Sequence, residues 1–209
     1  MKLIIATANP GKFVEFQEAL QSSTLAILSA GDLGITTFPE ETGSSYEENA
    51  LMKAAHVALK TGFPALGDDS GLEVDALDGE PGLYSARYGG KLSNGERLAH
   101  LLSKLRHMPK AERSAKFVCS LVLANPAGEF QTFWGECQGQ ILTGPRGEQG
   151  FGYDPVFYSP ELNKTFAEAS ESEKRAVSHR GRALEQFAQW LMTSKAKRFL
   201  ENRIPKKED

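Results

Sequence analysis

The sequence predicts an α/β fold that contains at least one antiparallel strand pair. A short apolar run at the N-terminus is followed by Asn-Pro and by aromatic residues at helical spacing, which indicates a strand, a tight loop and a helix. Two further helix starts alternate with apolar stretches along the chain. Two β-prone runs then flank a short Asn-Pro-Ala-Gly segment, a pattern typical of a hairpin.

Caps and apolar spacing define the elements of the N-terminal half. Residues 2–6 form the first strand, and residues 9–10 supply a helix cap and a proline at the first helical position. Ser45–Glu48 resembles a capping box, and Gly62 ends the helix that it opens. Extended chain resumes at Leu66, so the sequence predicts a second helix between two strands.

The C-terminal half predicts one more capped helix, a hairpin and a helical end. Ser93–Glu96 caps the helix. Residues 116–124 and 130–141 are the strands of the hairpin. Beyond Thr165 the chain is expected to be mostly helical. The core candidates of this last part are Phe187, Trp190 and Leu191.

Composition indicates an ordinary globular protein. The 209 residues are 40% hydrophobic and 24% charged, which suits one domain over residues 1–209. No apolar run approaches the roughly 18 residues that a membrane span needs, and the N-terminal run is too short for a signal peptide. We therefore expect a cytoplasmic protein. Cys119 and Cys137 lack metal-type spacing and are predicted to be buried, reduced thiols.

The acidity of the chain is concentrated in one stretch. Residues 67–82 (GDDSGLEVDALDGEPG) carry six carboxylates and no Lys or Arg, whereas the whole chain has a net charge of −3. Adjacent carboxylates such as Asp68 and Asp69 repel each other, so such a pair is either solvated on a loop or closed around a metal ion. At a strand end they could hold Mg²⁺, and one of them could activate a water molecule.

A second stretch, TANPGK at residues 7–12, lies between the first strand and the first helix. Backbone amides at a helix N-terminus and a lysine in the first turn can bind an anion. The match to a Walker loop is poor, because one glycine precedes Lys12 and no Ser or Thr follows it. An ordinary turn is the alternative.

Two further stretches carry polar or aromatic side chains suited to a nucleotide. In residues 147–155 (GEQGFGYDP), aromatic residues in a glycine loop can stack on a base, although a bulge or a turn explains the same pattern. Lys174 and the segment SHRG at residues 178–181 suit polyanion recognition. On one continuous helix Lys174 and Arg180 would point about 240° apart. Either the helix breaks near Ser178, or these residues do not share a site.

Taken in this order, the stretches resemble the inosine triphosphate pyrophosphatase family, whose members hydrolyse non-standard purine nucleoside triphosphates. The resemblance runs nearly end to end. The matching segments are ATANPGK, EETGSSYEENALMKA, DDSGLEVDALDGEPGLYSARYGG, GFGYDPVF and SHRGRAL. Ala8 stands where many members have glycine.

The resemblance implies an elongated two-lobed α/β fold, with a long twisted mixed β-sheet flanked by helices and an active-site cleft between the lobes. It also implies a homodimer that uses Mg²⁺ and converts ITP, dITP or XTP into the monophosphate and pyrophosphate. Asp69 would be the catalytic base and, with Glu40, a metal ligand, while Asp68 would be a supporting carboxylate. The substrate-binding positions implied are Thr7, Ala8, Asn9, Pro10, Gly11, Lys12, Lys53, Ser70, Phe151, Gly152, Tyr153, Asp154, Lys174, His179 and Arg180. Of these, His179 and Arg180 would read the 6-oxo edge of the purine.

Two other functions stay open on the residues alone. A phosphatase that removes the terminal phosphate would use the same lysine and metal chemistry, and would release orthophosphate. A nucleotide-binding or nucleic-acid-binding module would use the basic C-terminal cluster. That cluster consists of Lys195, Lys197, Arg198, Arg203, Lys206 and Lys207. A pI near 5.9 argues against a nucleic-acid surface, so we expect a solvated tail, no stable nucleic-acid binding and no membrane association.

Overall fold

The computed structural model describes residues 1–21 and 23–202. Within these residues the chain forms seven β-strands and six α-helices. In chain order they are β1 (Lys2–Ala6), α1 (Pro10–Ala19), β2 (Ala26–Ser29), α2 (Tyr46–Thr61), β3 (Ala65–Val74), α3 (Asn94–Lys104), β4 (Ser114–Ala124), β5 (Phe130–Ile141), β6 (Phe157–Ser159), β7 (Lys164–Thr165), α4 (Glu171–Val177), α5 (His179–Leu191) and α6 (Ser194–Glu201).

The strands form one mixed sheet in the order β2-β1-β3-β4-β5-β6-β7. β1 pairs in parallel with β2 and with β3, whereas β6 is antiparallel to both β5 and β7. The predicted α/β class with antiparallel pairing is therefore confirmed. The cleft between two lobes stays a prediction.

The caps behave as the sequence predicts. The side chain of Ser45 accepts a hydrogen bond from the amide of Glu48, and Gly62 ends α2 in the left-handed conformation. Ser93 and Glu96 form a reciprocal capping box at the start of α3. These local bonds fix where both helices begin or end, as expected for helix termini whose backbone groups lack intrahelical partners.

By internal contacts the described chain divides into two compact units. The first comprises Met1–Asp69, Ser120–Trp134 and the C-terminal segment from Ala183. Apolar residues of β1 and α2 build a core in this unit. That core contains Ile4, Ala6, Ala30, Ile35, Ala54, Val57, Ala58, Ala65 and Ala124. Phe187 is fully buried as predicted, and its ring packs edge-on against Phe133 at 5.3 Å between centroids.

The second unit comprises Ser70–Cys119 and Gly135–Arg182. Its core contains Leu101 of α3 and Leu105, which directly follows α3, together with aromatic residues of β4 and β6. The rings of Phe117, Phe157 and Phe166 contact one another, with centroids 4.6 to 5.9 Å apart. Both cysteines are buried and unbridged, as predicted.

The predictions for the end of the chain have mixed outcomes. Of the two alternatives that the sequence left open, a helix break near Ser178 and Gly181 or residues that do not share a site, the structure shows a break at Ser178, which has extended backbone between α4 and α5. Arg203, Lys206 and Lys207 of the basic cluster lie outside the described residues. Across the part of the chain that is described, no helix is long and apolar enough to cross a membrane.

Candidate functional site

The acidic pair lies inside a strand, not at its end as the sequence suggested. β3 continues through Asp68 and Asp69 as far as Val74, and both aspartates are buried, with 2% and 6% of their surface exposed. The solvated-loop interpretation is therefore wrong. Because successive side chains of a strand point to opposite faces, the two carboxylates point away from each other. That alternation relieves the repulsion that adjacency would otherwise cause.

The two carboxylates contact different lysines. Asp68 forms an ion pair and hydrogen bond with Lys12 of α1. On the other face, Asn49 of α2 donates a hydrogen bond of 3.0 Å from Nδ2 to Oδ2 of Asp69. Lys53, one helical turn along α2, has its Nζ 3.7 Å from the other oxygen of Asp69. A strand and two helices thus position one cluster of alternating charges.

Glu41 completes this cluster, although the sequence analysis assigned its neighbour. The Oε1 atom of Glu41 accepts a hydrogen bond of 2.6 Å from Lys53 Nζ. The side chain of Glu40 is exposed, and its assignment as a metal ligand stays a prediction. The sequence motif contains two consecutive glutamates and does not by itself show which of them lies near Lys53.

The surroundings raise two pKa values in this cluster, that of Asp69 and that of Lys53. Burial raises the pKa of Asp69, and the negative charge of Glu41 raises it further, while Lys53, Lys12 and the Asn49 hydrogen bond oppose the shift. Burial by itself lowers the pKa of Lys53, but the surrounding carboxylates outweigh it and the pKa is raised. Lys53 therefore stays protonated, and Asp69 takes up a proton more readily than an ordinary aspartate.

A divalent cation fits the donor atoms of this cluster. Asp68, Asp69 and Glu41 bring three carboxylates close to the ammonium groups of Lys12 and Lys53. Across residues 1–21 and 23–202 no three ligand-type side chains are arranged as a complete metal site. Mg²⁺ commonly takes only one or two carboxylates and fills its remaining positions with water and substrate phosphates. The oxygen donors present therefore suit a divalent cation that completes its coordination with other ligands.

The loop before α1 is already hydrogen-bonded within itself. The side chain of Asn9 accepts from the amides of Gly11 and Lys12 at 2.9 and 3.3 Å, and Thr7 Oγ1 accepts from the amide of Asn9. The backbone amides of Gly11 and Lys12, which the sequence predicted as donors to a phosphate, thus donate to the side chain of Asn9. Ala8, Asn9 and Pro10 are exposed, so the loop itself is accessible.

The second unit gathers the predicted base-binding residues around Phe151. Lys174 Nζ lies 4.7 Å from the centroid of the Phe151 ring, and the guanidinium carbon of Arg180 lies 6.0 Å from it. Arg180 also donates a hydrogen bond of 2.9 Å to Ser70 Oγ. Because the helix is interrupted at Ser178, Lys174 and Arg180 can both lie near the ring of Phe151. On one continuous helix they would point in different directions.

His179 is held by stacking. Its ring lies 4.7 Å from that of Phe117, with an angle of 12° between the planes, and it is almost fully buried. A stacked, buried imidazole has a fixed orientation, which suits a residue that reads the edge of a ligand. Its role in recognition stays a prediction.

Tyr153 reaches a residue that the sequence analysis missed. Its hydroxyl donates a 3.0 Å hydrogen bond to the carbonyl of Ser85. The hydroxyl of Ser85 accepts from the amide of Leu72 at 2.8 Å, two residues beyond Ser70 in β3. Ser85 therefore ties the glycine loop to the strand that carries Ser70. It belongs to the segment PGLYSARY, but nothing in that segment distinguishes this serine by its chemistry.

Comparison with known proteins places the chain in a family. The model of the Ham1 family matches residues 3–190. A dITP/XTP pyrophosphatase of Thermus thermophilus is 53% identical over 184 residues, which cover 88% of this chain and 88% of that protein. One from Deinococcus deserti is 51% identical over 183 residues, covering 88% and 86%.

Solved structures agree with these sequence relatives. The structure of a HAM1 protein from Coxiella burnetii has a TM-score of 0.83 at 41% identity and covers 91% of this chain and 98% of that one. The resemblance inferred from the motifs is thereby confirmed. Because the family model spans most of the chain and such close relatives cover nearly nine tenths of it, this protein belongs to the Ham1 family.

Proposed function

We propose that this protein hydrolyses non-standard purine nucleoside triphosphates (ITP, dITP and XTP) to the monophosphate and pyrophosphate, and so removes them from the nucleotide pool. The observation that carries the proposal is the buried Asp69 with its raised pKa, flanked by Lys53 and Glu41. The 53% identical relative named dITP/XTP pyrophosphatase supports the choice of substrate.

In the proposed mechanism, Asp69 accepts a proton from the water that attacks the α-phosphorus. Its buried position and raised pKa make it a better base than an exposed aspartate. Lys12 and Lys53 supply positive charge to the triphosphate and to the leaving pyrophosphate. Mg²⁺, when bound, would neutralise phosphate charge, and Asp69 with Glu41 would hold it. Asp68 keeps Lys12 in place on the opposite face of β3.

We assign binding of the purine base of the substrate to the residues around Phe151. A purine ring can stack on Phe151, whose ring already lies near two cations. A 6-oxo group accepts a hydrogen bond from Arg180 or His179, whereas the 6-amino group of adenine would meet a second donor. A site built on such a bond rejects the wrong group strongly, because buried polar groups are then left unpaired.

The experiment measures hydrolysis of ITP, dITP, XTP, GTP and ATP with and without Mg²⁺, with pyrophosphate and orthophosphate assayed separately. We expect metal-dependent pyrophosphate from the first three and little product from GTP or ATP. Asp69→Asn keeps the side-chain volume but removes the charge, so turnover should fall by a factor on the order of 10² or more. Orthophosphate as the product would instead identify a terminal phosphatase, and absence of turnover would favour a binding module.

We further propose that residues 1–209 act as one pyrophosphatase domain, and that two copies form a cytoplasmic homodimer. Phe130 and Trp134 lie on the same face of β5 with exposed rings, and such apolar surface suits association. Light scattering on the purified protein would give the mass of a dimer, and cell fractionation would place the activity in the cytosol. A mass of one chain at every concentration would reject the dimer.

A further inference from the structure

Asp154 and Lys174 form a buried ion pair in the second unit. Lys174 Nζ lies 2.8 Å from Asp154 Oδ2, and the two side chains are only 5% and 4% exposed. The same carboxylate oxygen accepts a hydrogen bond of 2.8 Å from the amide of Phe151. A single oxygen atom therefore holds both the backbone of Phe151 and the ammonium group of Lys174.

The glycine loop is shaped around this carboxylate. Gly150 has a φ of +73°, and a Cβ atom added to it would lie 2.1 Å from Asp154 Oδ2. The amide of Asp154 donates back to the carbonyl of Phe151 at 3.2 Å, and its own carbonyl accepts from the amide of Ala167 at 3.3 Å. The position of the carboxylate is thus determined by backbone on both sides, and only glycine at position 150 leaves room for it.

The Asp154 carboxylate fixes the surface on which a purine base would bind, because it holds both the Phe151 loop and Lys174. Lys174 Nζ lies 4.7 Å from the ring centroid, so the carboxylate that fixes the backbone of the ring also fixes the cation over it. Ring and ammonium keep one relative position as long as the carboxylate remains charged. This is a prearranged surface of a cation and an aromatic ring, and prearrangement raises affinity by reducing the cost of ordering on binding.

We propose that Asp154 is a positioning residue that sets the base-binding surface by holding Lys174 and Phe151. Its oxygen holds the Phe151 amide and its charge holds Lys174, so the effect of removing the charge alone vanishes once Lys174 can no longer carry a charge. The inference rests on the proposed function, because it takes the purine base as the ligand of this surface.

The test is a double-mutant cycle on Asp154→Asn and Lys174→Met, with KM and kcat for ITP measured separately. Asparagine keeps a side-chain oxygen that can accept the hydrogen bond of the Phe151 amide but removes the negative charge, so the change falls on Lys174, whose ammonium group should leave the ring. We expect KM for ITP to rise about 10-fold or more in each single variant, with kcat within about threefold. The double variant should be no worse than Lys174→Met, within about twofold. Effects that multiply would overturn the proposal, because Asp154 would then act independently of Lys174.

A second variant covers the case in which Asp154→Asn does not fold. Gly150→Ala crowds the same carboxylate without removing its charge and also strains the loop that carries Phe151. It should therefore raise KM more in the wild-type background than in the Lys174→Met background, where only the strain remains. Glu161→Gln is the matched control, because it removes the acid of an exposed ion pair with Arg182 and should leave KM unchanged. An unchanged KM in Gly150→Ala, or equal KM changes in both backgrounds, would contradict the proposal.

Binding of IMP, measured by calorimetry without turnover, distinguishes failure of the proposed function from failure of the inference about Asp154. If the wild-type protein neither hydrolyses ITP nor binds IMP, the proposed function is rejected and this inference falls with it. If the wild type is active and the cycle is additive in both KM and IMP affinity, the inference alone is rejected. Weaker IMP binding in Asp154→Asn that disappears on the Lys174→Met background would support both.

Discussion

Gly67→Ala tests how the packing of β3 on α2 positions Asp69, the proposed catalytic base. Gly67 lies two residues before Asp69, on the same face of β3. A Cβ atom at Gly67 would lie 2.3 Å from the carbonyl oxygen of Ala50 and 3.0 Å from the amide nitrogen of Ala54, both in the backbone of α2. Because α2 also carries Lys53, any movement of the strand away from this helix separates Asp69 from its partner.

The size of the effect follows from that contact. Since real Cβ contacts essentially never fall below 3.0 Å, strand and helix must separate by about 0.7 Å. Overpacking of this kind costs about 1–3 kcal/mol, which for a chain of this length lowers Tm by roughly 2 to 10 °C. A misplacement approaching 1 Å of a catalytic group can cost about 10²-fold in rate. We therefore expect a folded but less stable variant whose kcat/KM for ITP falls by a factor on the order of 10².

The assay combines thermal denaturation with pyrophosphate release from ITP. Gly95→Ala is the matched control, because a Cβ atom at Gly95 in α3 meets no atom within 4 Å. Alanine is the better helix former, so the control should keep full activity with Tm unchanged or slightly raised. A Gly67→Ala variant with Tm and kcat/KM near wild-type values would refute the reasoning that this close approach positions Asp69.

Three further predictions concern the charged groups. Glu41→Gln should lower kcat/KM by about 10-fold or more and raise the Mg²⁺ concentration required, whereas Glu40→Gln should stay within about threefold; the reverse ranking would restore Glu40 as the metal ligand. Arg180→Ala should reduce the preference for ITP over ATP, and Arg182→Ala, two residues along α5, should leave it unchanged; an unaltered preference in Arg180→Ala would reject its role in reading the base. Without metal, Asp69→Asn should raise Tm at neutral pH, because the raised pKa means that ionised Asp69 destabilises the folded state above its folded pKa. That gain should vanish as the pH falls below the unfolded value of 3.8, and a variant no more stable than wild type at neutral pH would contradict it.

Local signals in the sequence predicted most of the elements correctly. The first strand and the second strand of the hairpin have the predicted bounds, 2–6 and 130–141. The serine caps of α2 and α3 were also predicted, and the break at Ser178 was one of two alternatives that the sequence left open. These features depend on neighbours within four residues, and a single sequence records such interactions directly.

The features that sequence reasoning missed depend on distant partners. Asp-Asp-Ser-Gly has a poor β propensity, yet β3 continues through it because the strand lies inside the sheet and its carboxylates meet lysines from two helices. Which of the two glutamates, Glu40 or Glu41, joins the charged cluster depends on where Lys53 lies in the fold. The role of Ser85 depends on Tyr153, 68 residues away along the chain. None of these contacts leaves a periodic or spacing signal.

The arrangement also explains why two adjacent aspartates can have different roles. Asp68 has a lysine of its own, Lys12, in direct contact. Asp69 has to share Lys53 with Glu41, and Lys53 lies nearer to Glu41, at 2.6 Å against 3.7 Å. Burial and the nearby charge of Glu41 raise the pKa of Asp69 despite the opposing lysines, so Asp69 takes up a proton more readily than an ordinary aspartate. Alternation along one strand thus gives the two acids different surroundings, which supports the proposed roles of Asp68 as a supporting carboxylate and Asp69 as the base.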